Sequence, residues 1–295
     1  MLPNATYRGR IAPSPTGFLH LGHARTFWIA QERARQNSGK LILRNEDLDT
    51  ARCKPEFSAA MYEDLRWFGF EWQEGPDCGG AFAPYSQSER KNSYRAAFQK
   101  LHAGGFIYPC TCSRKEVLQA LRAPHQGEEE PIYPGTCRGN VELRTTNDEL
   151  KITEPSTLAI RNSKSNWRFC VPEGETISFV DGKFGTQQFV GGKDFGDFIV
   201  WRHDDIPSYQ LAVVADDTAM QVTEVVRGAD LLLSTARQLL LYRALGLIPP
   251  SFYHCDLLTD AKGIRFAKRN DALSLRTLRQ QGFSPEELRN TWLAS

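Results

Sequence analysis

No apolar run in the chain is long enough to cross a bilayer. The longest, around 239–248, is interrupted by Arg243 and falls short of the roughly 20 residues a spanning helix needs. The first residues, Met1 to Arg10, carry no apolar core of the kind an export signal has. These two absences exclude a membrane-spanning helical protein and an exported one, and a cytoplasmic protein is expected. Charge of one sign is lacking as well, with 36 basic against 35 acidic residues. A polyanion such as nucleic acid therefore meets no global field, only a local patch. Internal repeats and low-complexity tracts are missing, and 295 residues suggest two domains or one large domain with an insertion.

The seven cysteines, without an export signal, are read as reduced thiols. Cys53, Cys78, Cys170 and Cys255 stand in no recurring spacing. Cys110-Thr111-Cys112 and Cys137 instead fall close together in a polar stretch with little core of its own, where a structural zinc ion replaces hydrophobic stabilisation. From the residues alone the fourth ligand is either His125 or Tyr133.

The first hundred residues alternate strand-like and helix-like segments, the pattern of an α/β fold with a parallel sheet. Strands are expected at 8–12 and 40–43, and helices at 20–36, 55–68 and 88–102. The periodicity weakens between 106 and 193, which is read as an insertion. It resumes with 198–201, 209–216, a β-like 220–227 and a helix at 234–245. Ser284-Pro285-Glu286-Glu287 has a cap, an N1 proline and an N3 glutamate, and starts a terminal helix. The expected units are thus a first catalytic half at 1–105, the insertion at 106–193, a second half at 194–258, and a loop with a short helical region at 259–295.

The most informative stretch runs from Arg10 to His23, reading RIAPSPTGFLHLGH. A strand end, a rigid turn and two histidines surround a glycine at a helix start. The helix amides attract phosphate, Gly22 lets a nucleotide approach the backbone, and His20 and His23 donate to phosphoryl oxygens. The whole string resembles the HIGH signature of class I aminoacyl-tRNA synthetases in its glutamyl version. Four further segments resemble the same family in the same order: Arg44–Asp49, Ser208–Asp217, Val226–Leu232 and Gly263–Arg269.

The resemblance implies a Rossmann-like class I catalytic domain with an inserted zinc-bearing subdomain and a short helical C-terminus. It implies a glutamate site of Arg10, Ile11, Ala12, Pro13, Ser14, Glu46, Tyr209 and Arg227. Arg10 and Arg227 would face the carboxylates, Glu46 the ammonium, and Tyr209 would close the pocket. It implies ATP held by His20, Gly22, His23 and Lys268, with His20, His23 and Lys268 catalytic and Mg²⁺ arriving with ATP. Gly263–Arg269 stands in the place of the KMSKS loop but keeps only its second lysine, Lys268. For zinc it selects Cys110, Cys112, Tyr133 and Cys137.

The Cys-x-Cys…Tyr-x₃-Cys pattern, and the few residues after the loop, resemble the glutamyl-queuosine tRNA(Asp) synthetase family. There, glutamate activated with ATP is placed on queuosine in the anticodon arm of tRNA(Asp). The runner-up is a short glutamyl-tRNA synthetase charging a tRNA 3′ end. From other classes come a nucleotidyltransferase using the HxGH motif, which needs no glutamate pocket, and a non-catalytic tRNA-binding paralogue.

Overall fold

The computed structural model describes residues 6–112, 132–133, 135–138, 165–258 and 274–293. The chain begins with the parallel pair β1 (Arg8–Ile11) and β2 (Lys40–Leu43), joined by helix α1 (Leu21–Gln36). Helix α2 (Pro55–Phe68) follows, with Pro55 at its first turn and Gly69 at φ 95° closing it, a left-handed position that glycine adopts without steric cost. A 3₁₀ turn at Gln87–Glu89 leads into α3 (Lys91–Ala103).

Then come β3 (Ile107–Cys110), β4 (Asn166–Phe169), β5 (Thr176–Asp181), β6 (Gly185–Val190) and β7 (Phe198–Trp201). The order closes with α4 (Tyr209–Ala219), β8 (Glu224–Gly228), α5 (Leu232–Leu245), β9 (Ser251–Cys255), α6 (Leu275–Gln280) and α7 (Pro285–Leu293). Strands β8 and β9 run parallel, and Thr223, just before β8, donates its amide to the Arg8 carbonyl at 2.9 Å. The α/β core therefore brings β2, β1, β8 and β9 side by side. Arg8 also grips Glu74 through two bonds of 2.9 Å, holding the Glu74 segment against β1.

Strand β7 does not extend this layer, although its sequence position suggested a return to the alternating pattern. It pairs antiparallel with β4, and β3, β4 and β7 form their own sheet. The β5–β6 hairpin reaches the other way and joins β9 through Asp181 and Phe252. Side chains from before, within and after residues 106–193, including Phe98, Ile107, Phe169, Trp201, Leu211 and Leu240, share one buried core. Interleaved burial of this kind offsets the large entropy of ordering so much non-local chain. At the C-terminus the capping box forms, since Ser284 Oγ accepts the Glu287 amide at 3.2 Å and Glu287 Oε2 accepts the Ser284 amide at 2.8 Å. No helix among the described residues is long and apolar enough to cross a membrane.

Candidate active site

Two prolines, Pro13 and Pro15, end β1 and keep the chain out of a helix until His20, which is extended at the N-cap of α1 (φ −110°, ψ 166°). Helix α1 starts with no side-chain cap and no acidic residue in its first turn. Its positive dipole end is thus left for an anion. The imidazoles of His20 and His23 lie with ring centroids 3.7 Å apart. A Cβ on Gly22 would stand 3.2 Å from the His20 ring, so glycine there lets that ring lie flat against the turn.

Parallel pairing continues past the strand ends. The Arg44 amide donates to the Ile11 carbonyl at 2.9 Å and the Glu46 amide to the Pro13 carbonyl at 3.0 Å, which carries Glu46 to the same rim. A cavity of about 160 Å³ opens there, lined among others by Arg10, Ala12, Pro13, Ser14, His20, Gly22, His23, Glu46, Tyr209 and Arg227. Ile11 is the expected site residue that does not line it. Its side chain is wholly buried in the core around β1 and β2. Lys268 lies outside the described residues, as do Arg265, Arg269 and His125. The chain on either side of that loop does reach the cavity: Leu257 and Leu258 line it, and Ser274 bridges to His20.

Behind the lining residues Arg10 and Glu46 stand Arg44 and Asp217, to which the sequence reading assigned no role. Arg44, with no exposed surface, donates to Asp217 Oδ1 at 2.6 Å and to Glu46 Oε1 at 2.9 Å. Arg10 reaches the same Asp217 oxygen at 3.4 Å and the Val226 carbonyl at 3.2 Å. Burial alone would raise Asp217, but Arg44 and Arg10 hold it below the usual carboxylate range. Burial pushes Glu46 up against the pull of Arg44 and Arg10. Buried charges persist only when paired and hydrogen-bonded, and removing one partner is costly. The arrangement fixes a guanidinium and a carboxylate at one wall before any ligand arrives. The sequence signal for it was two adjacent aspartates, Asp216 and Asp217, ending the apolar run Leu211–Ala215.

Opposite, Arg227 Nη1 donates to the Tyr209 hydroxyl at 3.4 Å and Nη2 to Thr235 Oγ1 at 2.7 Å. Gly228 follows because a Cβ there would stand 2.4 Å from Asp230 Oδ1. Arg10, Arg227 and the Glu46 carboxylate stand around a small cavity that Asp230 and Asp256 also line, beside a helix start with no side-chain cap, and they suit an amino acid with a second acidic group and a nucleotide phosphate.

A second cluster sits where β3 ends. The sulfurs of Cys110, Cys112 and Cys137 lie within 4.8 Å of one another and can hold a metal ion. The Tyr133 hydroxyl is 3.4 Å from Cys110 Sγ and 3.2 Å from Cys112 Sγ, and it accepts the Cys137 amide at 3.0 Å. Tetrahedral ligands about 2.3 Å from zinc stand just under about 4 Å apart, so the donor set fits that ion. Cys53, Cys78, Cys170 and Cys255 are free thiols distributed elsewhere.

The chain belongs to the catalytic-domain family of class I tRNA synthetases (E and Q), whose profile matches residues 6–293. Within that class it is similar to the glutamyl-Q tRNA(Asp) synthetase of Symbiobacterium thermophilum, 48% identical over 94% of this chain and 83% of the relative. The glutamyl-Q tRNA(Asp) synthetase of Nitratidesulfovibrio vulgaris is 47% identical over 93% of this chain and 82% of its own length. At that likeness the chain belongs with the glutamyl-Q tRNA(Asp) synthetases. Among solved structures it is similar to a glutamate tRNA ligase from Elizabethkingia meningosepticum in complex with its amino acid (TM-score 0.72, 30% identity). The match covers 95% of this chain and 54% of that one.

Proposed function

We propose that the chain is a cytoplasmic ligase that activates L-glutamate with ATP, giving glutamyl-adenylate and pyrophosphate, and transfers the glutamate to queuosine in the anticodon arm of tRNA(Asp). The observation that carries this reading is that Arg10, Glu46, Tyr209 and Arg227 line the same cavity as His20 and His23 at the start of α1. In this reading the α-carboxylate attacks the α-phosphorus of ATP, a bond to pyrophosphate breaks, and no protein nucleophile is involved. Catalysis rests on positioning and charge stabilisation.

Arg10 and Arg227 take the two carboxylates, Glu46 takes the ammonium, and Tyr209 closes the pocket, with Ala12, Pro13 and Ser14 as its floor and Ile11 behind it in the core. His20 and His23 stabilise phosphoryl oxygens over Gly22. Lys268 meets the departing pyrophosphate, and Mg²⁺ accompanies ATP. Cys110, Cys112, Tyr133 and Cys137 hold zinc in the insertion (106–193), between catalytic halves at 1–105 and 194–258. When bound, zinc supplies structural cross-linking, because its ligands come from segments with little core of their own.

Support for queuosine as acceptor comes from the 47–48% identity to relatives named for it. The second reading, charging of a tRNA 3′ end, is favoured by the likeness to a glutamate tRNA ligase. Transfer of labelled glutamate to tRNA(Asp) with and without queuosine separates the two. Label on queuosine-containing tRNA alone is expected, and equal labelling of both establishes 3′-end charging.

A further inference from the structure

Strands β8 and β9 pair so that Arg227 stands directly beside His254. Asp181, at the end of β5, pairs with Phe252 two residues before it. Both His254 and Asp181 are buried, with 0% and 2% of their surface exposed. Asp181 Oδ2 is 2.6 Å from His254 Nδ1 and accepts the His254 amide at 3.0 Å. Asp181 Oδ1 accepts the amides of Lys183 and Phe184 at 3.0 and 2.9 Å.

A carboxylate receiving that many donors is ionised, so the proton between it and the ring belongs to Nδ1. Burial, and then the Arg227 charge, push His254 down to about 4, which keeps the imidazole neutral. Nε2 is therefore an acceptor, and Arg227 Nε donates to it at 3.2 Å. Thr235 and Tyr209 each take one N–H of the terminal nitrogens. A guanidinium has five N–H groups, which leaves one on each terminal nitrogen.

We propose that His254 and Asp181 are the positioning residues of the glutamate pocket. Asp181 fixes His254 as an acceptor, and His254 fixes the rotation of Arg227, so that its two remaining N–H groups converge on a carboxylate and reject a carboxamide. This rests on the reading that Arg227 binds a substrate carboxylate. The selectivity follows from donor inventory: a carboxamide offers an NH₂ to a guanidinium that cannot turn away, donor against donor, and an unmade buried bond is expensive.

The test is glutamate-dependent ATP–pyrophosphate exchange by the full chain, with KM measured separately for glutamate and ATP and with glutamine as competitor substrate. Asp181→Asn and His254→Phe are expected to raise the glutamate KM about tenfold or more. The ATP KM stays within about twofold, and the preference for glutamate over glutamine falls by a similar factor. His254→Gln, whose carboxamide oxygen accepts from Arg227 Nε, restores most of the affinity. If His254→Phe does not fold, Asp181→Asn decides alone, since asparagine keeps an oxygen for the two turn amides. An unchanged glutamate KM in Asp181→Asn overturns the proposal, as does a parallel rise in both KM values with a lowered unfolding midpoint. A wild-type chain that does not exchange with glutamate, or an Arg227→Gln variant with normal glutamate KM, overturns the underlying reading instead.

Discussion

Ser274 pairs antiparallel with His20, and the Leu275 amide donates to the Leu19 carbonyl at 2.7 Å. The chain leaving β9 passes Leu257 and Leu258 at the cavity and returns at the turn that opens α1. Leu258 and Ser274, the described residues that flank Lys268 in sequence, thus stand respectively at the cavity and beside its lining residue His20.

Lys268→Ala is accordingly expected to lower the maximal rate of ATP–pyrophosphate exchange by about 10²–10³-fold, the usual cost of one transition-state charge contact. Lys268→Arg keeps the charge and retains part of the rate. Exchange at the wild-type rate in Lys268→Ala would remove this residue from the site.

Arg10→Gln is expected to raise the glutamate KM by about 10²-fold, from the loss of a charge-assisted carboxylate contact. The variant tolerates the change in fold because Asp217 keeps Arg44 at 2.6 Å. Titration of initial exchange rates with glutamate at saturating ATP measures it, and an effect on ATP alone would reassign Arg10 to the nucleotide.

Metal content distinguishes the two possible oxygen and nitrogen ligands of the cysteine cluster. Tyr133→Phe is expected to lose zinc and His125→Ala to keep it, as read by metal analysis of the purified variants together with their unfolding midpoints. The opposite pattern reverses the choice of ligand.

Acid stability follows Glu74. The Arg8 fork, with the Tyr85 hydroxyl at 2.5 Å, lowers its pKa from 4.5 to about 2. The folded value is depressed, so its stabilisation is fully present above about pH 4.5 and is lost as pH falls toward 2, on the order of 3 kcal/mol over that window. Glu74→Gln should lower stability at neutral pH and flatten the dependence between these values in denaturant titrations.

The helices were legible in the sequence where local chemistry defines them. Pro55 and Gly69 bracket α2 at its observed ends, and Ser284 with Glu287 announces α7. Most of the pocket lining was legible too, because it gathers along short strings such as Arg10–His23. Pairings across the chain left no local trace. Phe198–Trp201 reads like any buried strand, and nothing near it says that its partner is β4. Arg44 and Asp217 are separated by 173 positions, and His254 and Asp181 by 73. A fully buried charge looks in sequence like a surface one until its partner is found.

Asp181 holds the turn between β5 and β6 with one oxygen and the backbone and ring of His254 with the other. The hairpin and the edge of the central sheet are therefore one cooperative unit. The amide protons of Lys183, Phe184 and His254, all held by the Asp181 carboxylate, are expected to exchange with solvent together in a native-state hydrogen-exchange measurement. One carboxylate thus ties the hairpin tip to the strand that carries His254 behind the substrate wall.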